Sequence, residues 1–143
     1  MNAASLAIAA PDDTPGRTAA VRRVAAHIEQ NFMERLTLQD LAALAGLSVF
    51  RLVTVFRREV GMPPHRYLCH VRIRAARALL GRGVPPAIVA SEAGFFDQSH
   101  LSRHFKSICG VTPGQYLARC RSEAALDASA LADHAPAPQH AAA

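Results

Sequence analysis

Leu41-Ala42-Ala43-Leu44-Ala45-Gly46-Leu47 returns in pattern 48 positions later as Val89-Ala90-Ser91-Glu92-Ala93-Gly94-Phe95. One residue is gained near Asp97, and the match continues at a shift of 49. Leu52 then falls on Leu101, Phe56 on Phe105, Arg57 on Lys106, Gly61 on Gly110, Pro64 on Pro113, Tyr67 on Tyr116, Leu68 on Leu117 and Arg72 on Arg121. Self-similarity at a fixed offset is the mark of a duplicated structural unit. Each copy reads as a helix-turn-helix. A small residue, Ala42 or Ala90, lets two steeply crossed helices approach. Gly46 or Gly94 takes the left-handed turn at little cost. Leu47 or Phe95 plugs the angle, and Leu52/Phe56 or Leu101/Phe105 anchor the second helix.

Outward from the repeat, the apolar spacing is helical throughout and no alternating strand pattern of useful length occurs. Val21, Val24, Ile28 and Phe32 form one stripe of a first helix. Thr37 and Asp40 make an N-terminal capping pair for a second helix, which Gly46 ends. Ser48 caps a third, with Leu52, Val55 and Phe56 inward, and Gly61 stops it. Pro63-Pro64 opens a long fourth helix to about Leu80. Pro85-Pro86 starts a fifth, ended by Gly94. A sixth runs from about Gln98 to Cys109, and a seventh from Thr112-Pro113 to about Arg121. The sequence thus predicts an all-α fold of seven helices, in two helix-turn-helix subdomains (about 38–59 and 86–109) joined by a long linker helix. Each subdomain is a homeodomain-like three-helix unit.

The compact part spans 17–121. Residues 1–16, rich in Ala, Asp and Pro, read as a disordered leader, and 122–143 as an acidic Ala/Pro-rich tail, disordered with some helix at its start. The chain has 143 residues, of which 29 are Ala, with eight aromatics and no Trp. This suits small, closely packed helices and argues against a large β-sandwich. No run of about 18 apolar residues predicts a membrane span, and residues 1–11 lack the basic flank of a secretory signal. Three cysteines, Cys69, Cys109 and Cys120, do not make a disulfide framework. They point to a reducing, cytoplasmic setting, with Cys69 and Cys120 as buried free thiols.

Charge is unevenly placed. Residues 51–121 carry twelve basic and three acidic side chains, a balance of +9, whereas the whole chain stands at +5. Fifteen of the 16 basic residues are Arg, whose planar fork suits phosphate and guanine. Such a cluster favours a polyanion through counterion release. An 18-residue linker helix is about 27 Å long. The second helices of the two units can then lie near one turn of DNA apart, about 34 Å, so one chain fills two successive major grooves without dimerising.

The stretch Gly94-Phe95-Phe96-Asp97-Gln98-Ser99-His100-Leu101-Ser102-Arg103-His104-Phe105-Lys106, followed by Gly110-Val111-Thr112-Pro113-Gly114-Gln115-Tyr116, closely resembles the signature of the AraC/XylS family of bacterial transcription regulators. Residues 36–56 are similar to that family's first helix-turn-helix, and the resemblance covers residues 17–121. It implies a seven-helix, two-subdomain domain that binds promoter DNA sequence-specifically and contacts RNA polymerase, usually as an activator. Many members are about twice this length, with a separate effector or dimerisation domain. The resemblance therefore suggests a stand-alone member or the DNA-binding part of a longer regulator.

Groove-facing positions lie early on each second helix, opposite its buried Leu and Phe. In the first unit they are Phe50, Arg51, Val53 and Thr54; in the second, Gln98, Ser99, Ser102 and Arg103. Gln98 suits adenine and Arg103 suits guanine. The family commonly has Arg where Thr54 stands, so the first half-site is expected to rely more on thymine methyl groups. Arg57, Arg58, His100, His104 and Lys106 are expected on phosphates. Arg66, Arg72, Arg74 and Arg77 on the linker helix are assigned equally to DNA or to a solvated face.

Other chemistry is not supported. His100 and His104 stand four apart with Cys109 beyond, but no H-E-x-x-H or C-x-x-C accompanies them, so no metal is expected. Neither a nucleophile triad, a G-x-x-x-x-G-K loop nor paired carboxylates occur, which excludes the common enzyme and cofactor signatures. The alternative is an interaction module that binds polymerase or another regulator without reading DNA. The basic segment weighs against it.

Overall fold

Proline, cap and glycine set most of the helix boundaries. The computed structural model describes residues 18–133, and these form seven helices with no strand among them. They are α1 (Ala19–Asn31), α2 (Leu38–Ala45), α3 (Val49–Val60), α4 (Pro64–Gly81), α5 (Pro86–Glu92), α6 (Gln98–Cys109) and α7 (Pro113–Asp133). Thr37 and Asp40 close a full capping box on α2. The Ser48 side chain accepts from the Arg51 amide at 3.2 Å, and that of Asp97 from the His100 amide at 2.7 Å. These bonds satisfy amides that the first turn of a helix leaves without partners.

The two turns are built alike. Leu47 N donates to Ala42 O at 3.0 Å, and Phe95 N to Ala90 O at 2.9 Å. Each bond reaches back five residues around a left-handed glycine, Gly46 at φ 67° and Gly94 at φ 83°, which is the Schellman closure of a helix. The break turns α3 by 81° from α2.

Two cores follow, and α4 belongs to both. The first joins Val21, Val24 and Ile28 of α1, Leu41 of α2, Leu52 and Phe56 of α3, and Tyr67, Leu68 and Val71 of α4. The second joins Ile73, Ala76 and Leu80 of α4 with Val89, Phe95, Leu101, Phe105 and Leu117. The duplicated aromatic pair packs alike. Phe56 meets Tyr67 edge to face at a 5.5 Å centroid distance, and Phe105 meets Tyr116 at 5.5 Å. Such pairs add about 0.5–1.5 kcal/mol beyond the area they bury.

Arg72 of α4 ties the halves together. Its Nε donates to Phe32 O at 2.7 Å and a terminal nitrogen donates to Glu34 O at 2.9 Å, both in the loop after α1. On the same loop, Gly94 of the second turn packs against Phe32 O and the Met33 backbone, where a Cβ would come within 2.6 Å and 2.9 Å. Glu29 adds an acceptor for Tyr67 Oη at 2.9 Å and an ion pair with Arg74.

The helix expected at the start of the 122–143 tail is continuous with α7, which runs on to Asp133. Ala, Leu and Glu in this stretch favour the helix intrinsically, and every residue of it is exposed, so the extension owes nothing to packing. The leader 1–16 and the rest of the tail lie outside the described residues. Among the described residues no single helix is long and apolar enough to cross a membrane.

Candidate nucleic-acid interface

α3 and α6 bury one face each and present the other. Leu52, Val55 and Phe56 point α3 inward, as Leu101 and Phe105 do α6. What remains outside on α3 is Phe50 (82% exposed), Arg51, Thr54, Arg57 and Arg58, with Val53 half-buried. On α6 it is Gln98, Ser99, Arg103 and Lys106, with Ser102 half-buried. The spacing of these residues is three and four along each helix, so they form one stripe per helix.

The two stripes differ chemically. Thr54 Oγ1 donates to Phe50 O at 2.9 Å, which engages its proton. Phe50 and Val53 add apolar surface at the start of the α3 face, beside the exposed Arg51, Arg57 and Arg58. The α6 face is polar. Ser99 and Arg103, with Phe96, Asp97 and His100, line an open cleft of about 320 Å³ at the start of the helix.

His100 and His104 are held more tightly than the sequence indicated. Both are half-buried, with ring centroids 4.7 Å apart, and both rest on buried Phe95 at 5.3 Å and 6.0 Å. Burial pushes both imidazoles below the ordinary 6.5, helped at His104 by His100 and at His100 by Arg103. They are neutral at neutral pH and bring no cation to the surface. His100 Nδ1 accepts from the Phe96 amide at 3.2 Å, which places the proton of the neutral ring on Nε2. No group of three or more His, Cys, Asp or Glu able to hold a metal forms among the described residues.

The four linker arginines separate by what they touch. Arg72 is committed to the α1–α2 loop, Arg74 to Glu29, and Arg77 lies over the Tyr116 ring, 5.7 Å from its centroid. Arg66 instead lines a groove with Arg57. Of the thiols, Cys69 is buried and its pKa raised by that burial, whereas Cys120 is only half-buried, because α7 presents a single narrow apolar edge to the core.

Sequence reasoning missed Phe96, which is 91% exposed at the mouth of the α6 cleft. The adjacent pair Phe95-Phe96 held the clue. Two consecutive residues of a turn cannot both enter the core, and Phe95 does.

Two helix-turn-helix units sharing one linker helix, each with an exposed second helix, define a DNA-binding domain of transcription regulators. A family model described as a helix-turn-helix domain matches residues 41–119. The transcriptional activator NphR of a Rhodococcus species is 41% identical over 102 residues, which is 70% of this chain and 30% of that protein. The transcriptional activator AarP of Providencia stuartii is 31% identical over 104 residues, 72% of this chain and 77% of that one. The DNA-binding domain of AdpA, solved in complex with a target DNA, superposes with a TM-score of 0.70 at 27% identity, covering 74% of this chain and 96% of that domain. The chain belongs to the AraC family of helix-turn-helix, DNA-binding transcription regulators. It spans 30–37% of the length of the first curated relatives it matches. Its family and fold are those of regulators and not of enzymes.

Proposed function

We propose that this chain binds promoter DNA sequence-specifically as one molecule, with α3 and α6 in successive major grooves, and activates transcription by contacting RNA polymerase in the bacterial cytoplasm. The observation that carries the reading is the pair of exposed stripes on α3 and α6, set on equivalent scaffolds and joined by one rigid helix. The names of NphR and AarP, both activators, support the direction of regulation.

Roles follow from the side chains presented. Arg103 offers two donors to guanine O6 and N7, Gln98 a donor and an acceptor to adenine, and Ser99 and Ser102 short hydroxyls to neighbouring bases. Phe50, Val53 and the Thr54 methyl meet thymine methyl groups, and Arg51 supplies the polar contact of the first half-site. Arg57, Arg58 and Lys106 bind phosphates and set the register. His100 donates to a phosphate from Nε2 as a neutral ring, with His104 holding it in place.

A gel shift on promoter DNA across a salt series tests the reading. The expected result is a specific complex one chain per site, with affinity falling steeply with salt. Absence of DNA affinity, with retained binding to polymerase, would favour the interaction module instead.

A further inference from the structure

Where α3 passes the chain to α4, Arg57, Gly61, Met62, Pro63, Arg66 and His70 line an open groove of about 460 Å³. None of these residues is acidic. His70 is only 9% exposed, and its Nδ1 is sealed from solvent with no hydrogen-bond partner. A buried imidazole nitrogen without a partner costs least as a bare lone pair, so the neutral ring carries its proton on Nε2. Burial, with Arg66 beside it, holds the ring below the ordinary 6.5. At neutral pH His70 is therefore a neutral donor that nothing in the fold uses.

The backbone adds to this. α4 begins on Pro63-Pro64 with no side-chain cap, so the amides of His65 and Arg66 have no acceptor within the helix. The matching start of α7 is closed by its own residues. Gln115 N donates to Thr112 Oγ1 at 3.1 Å and Thr112 N to Gln115 Oε1 at 2.9 Å. Two arginines and an unused imidazole donor thus line one groove, beside the uncapped start of α4.

We propose that this corner is a phosphate oxyanion site, held by Arg57, Arg66 and His70 at the start of α4. Arg57 stands one turn beyond Thr54 on the exposed side of α3, so a duplex lying along α3 brings a backbone phosphate to the groove; a free phosphate is the other source of the same chemistry. The duplex assignment rests on the DNA reading above, while the site itself does not.

The test uses the full chain, with the His70 ring followed by NMR. Inorganic phosphate should shift the His70 ring resonances saturably, and sodium chloride at equal ionic strength should not. Arg66→Ala and His70→Leu should abolish that response or weaken it about tenfold, and His70→Gln, which keeps a donor, should retain most of it. On duplex DNA of any sequence, Arg66→Ala should lower affinity about five- to tenfold and flatten the salt slope by about one contact. A phosphate response with unchanged duplex affinity and slope in Arg66→Ala supports the site with free phosphate as its occupant. No response of His70 to phosphate, and no effect of Arg66→Ala on DNA, overturns the proposal. The DNA reading fails separately, if the wild-type chain binds no duplex and the phosphate response persists.

Discussion

Gly46 and Gly94 occupy the same place in the two turns, yet their surroundings differ. A Cβ on Gly46 would meet nothing within 4 Å, whereas one on Gly94 would strike the backbone of Phe32 and Met33. The first turn is a free-standing corner. The second is also a joint, pressed against the loop after α1 beside Arg72. Duplication supplied two equal corners, and only one was recruited to hold the halves in a fixed relation. The outer faces diverged as well, with Phe50, Val53 and Thr54 on α3 standing where α6 carries Ser99, Ser102 and Arg103, while the cores kept the same aromatic pair.

The comparison breaks first if the cores are unequal. Phe56→Ala and Phe105→Ala should each cost about 3–5 kcal/mol by denaturant unfolding, since both rings are fully buried. A large loss from one alone would mean the units do not share an anchor. The glycines come next. Gly94→Ala should cost about 3 kcal/mol or more, combining left-handed strain with a backbone clash. Gly46→Ala carries only the strain, about 1–2 kcal/mol. Equal effects would remove the joint.

On the proposed DNA faces, Arg103→Ala should cost about 1–3 kcal/mol of specific binding and relax preference at one base position. Thr54→Val should change affinity by less than about 0.5 kcal/mol, because the Thr54 hydroxyl already serves its own helix. Titration against operator variants checks both.

The smallest effect concerns pH. His70, His100 and His104 have folded-state values below 6.5, so the unfolded chain binds protons more readily than the folded one. Their stabilisation is present above pH 6.5 and is lost as pH falls through the lower folded values. Two of the three rings lie on α6, and α3 carries none. Amide exchange between pH 7 and pH 5 should therefore loosen α6 ahead of α3. The reverse order would place the sensitive burial in the first unit.

Much of this fold was legible because its signals are local. Pro63-Pro64, Pro85-Pro86, Ser48, Gly46 and Gly61 act through their own backbone geometry, and the repeat exposed the second unit's register. Arg72 and Gly94 were not legible in the same way. Arg72 looked like any linker arginine, and its partners, Phe32 O and Glu34 O, are carbonyls some 40 residues away in the chain. His100 and His104 were placed on phosphates by their position beside the reading face, and their burial against Phe95 was not legible.

The sequence by itself determined seven helices, two equivalent corners and the faces that α3 and α6 turn outward, because caps, turn glycines and apolar spacing act within a few residues. The tertiary structure alone decided which arginines remain available to an anion, which histidines stay neutral and how the two units are locked together. Those outcomes depend on burial and on partners that only the folded chain brings into reach.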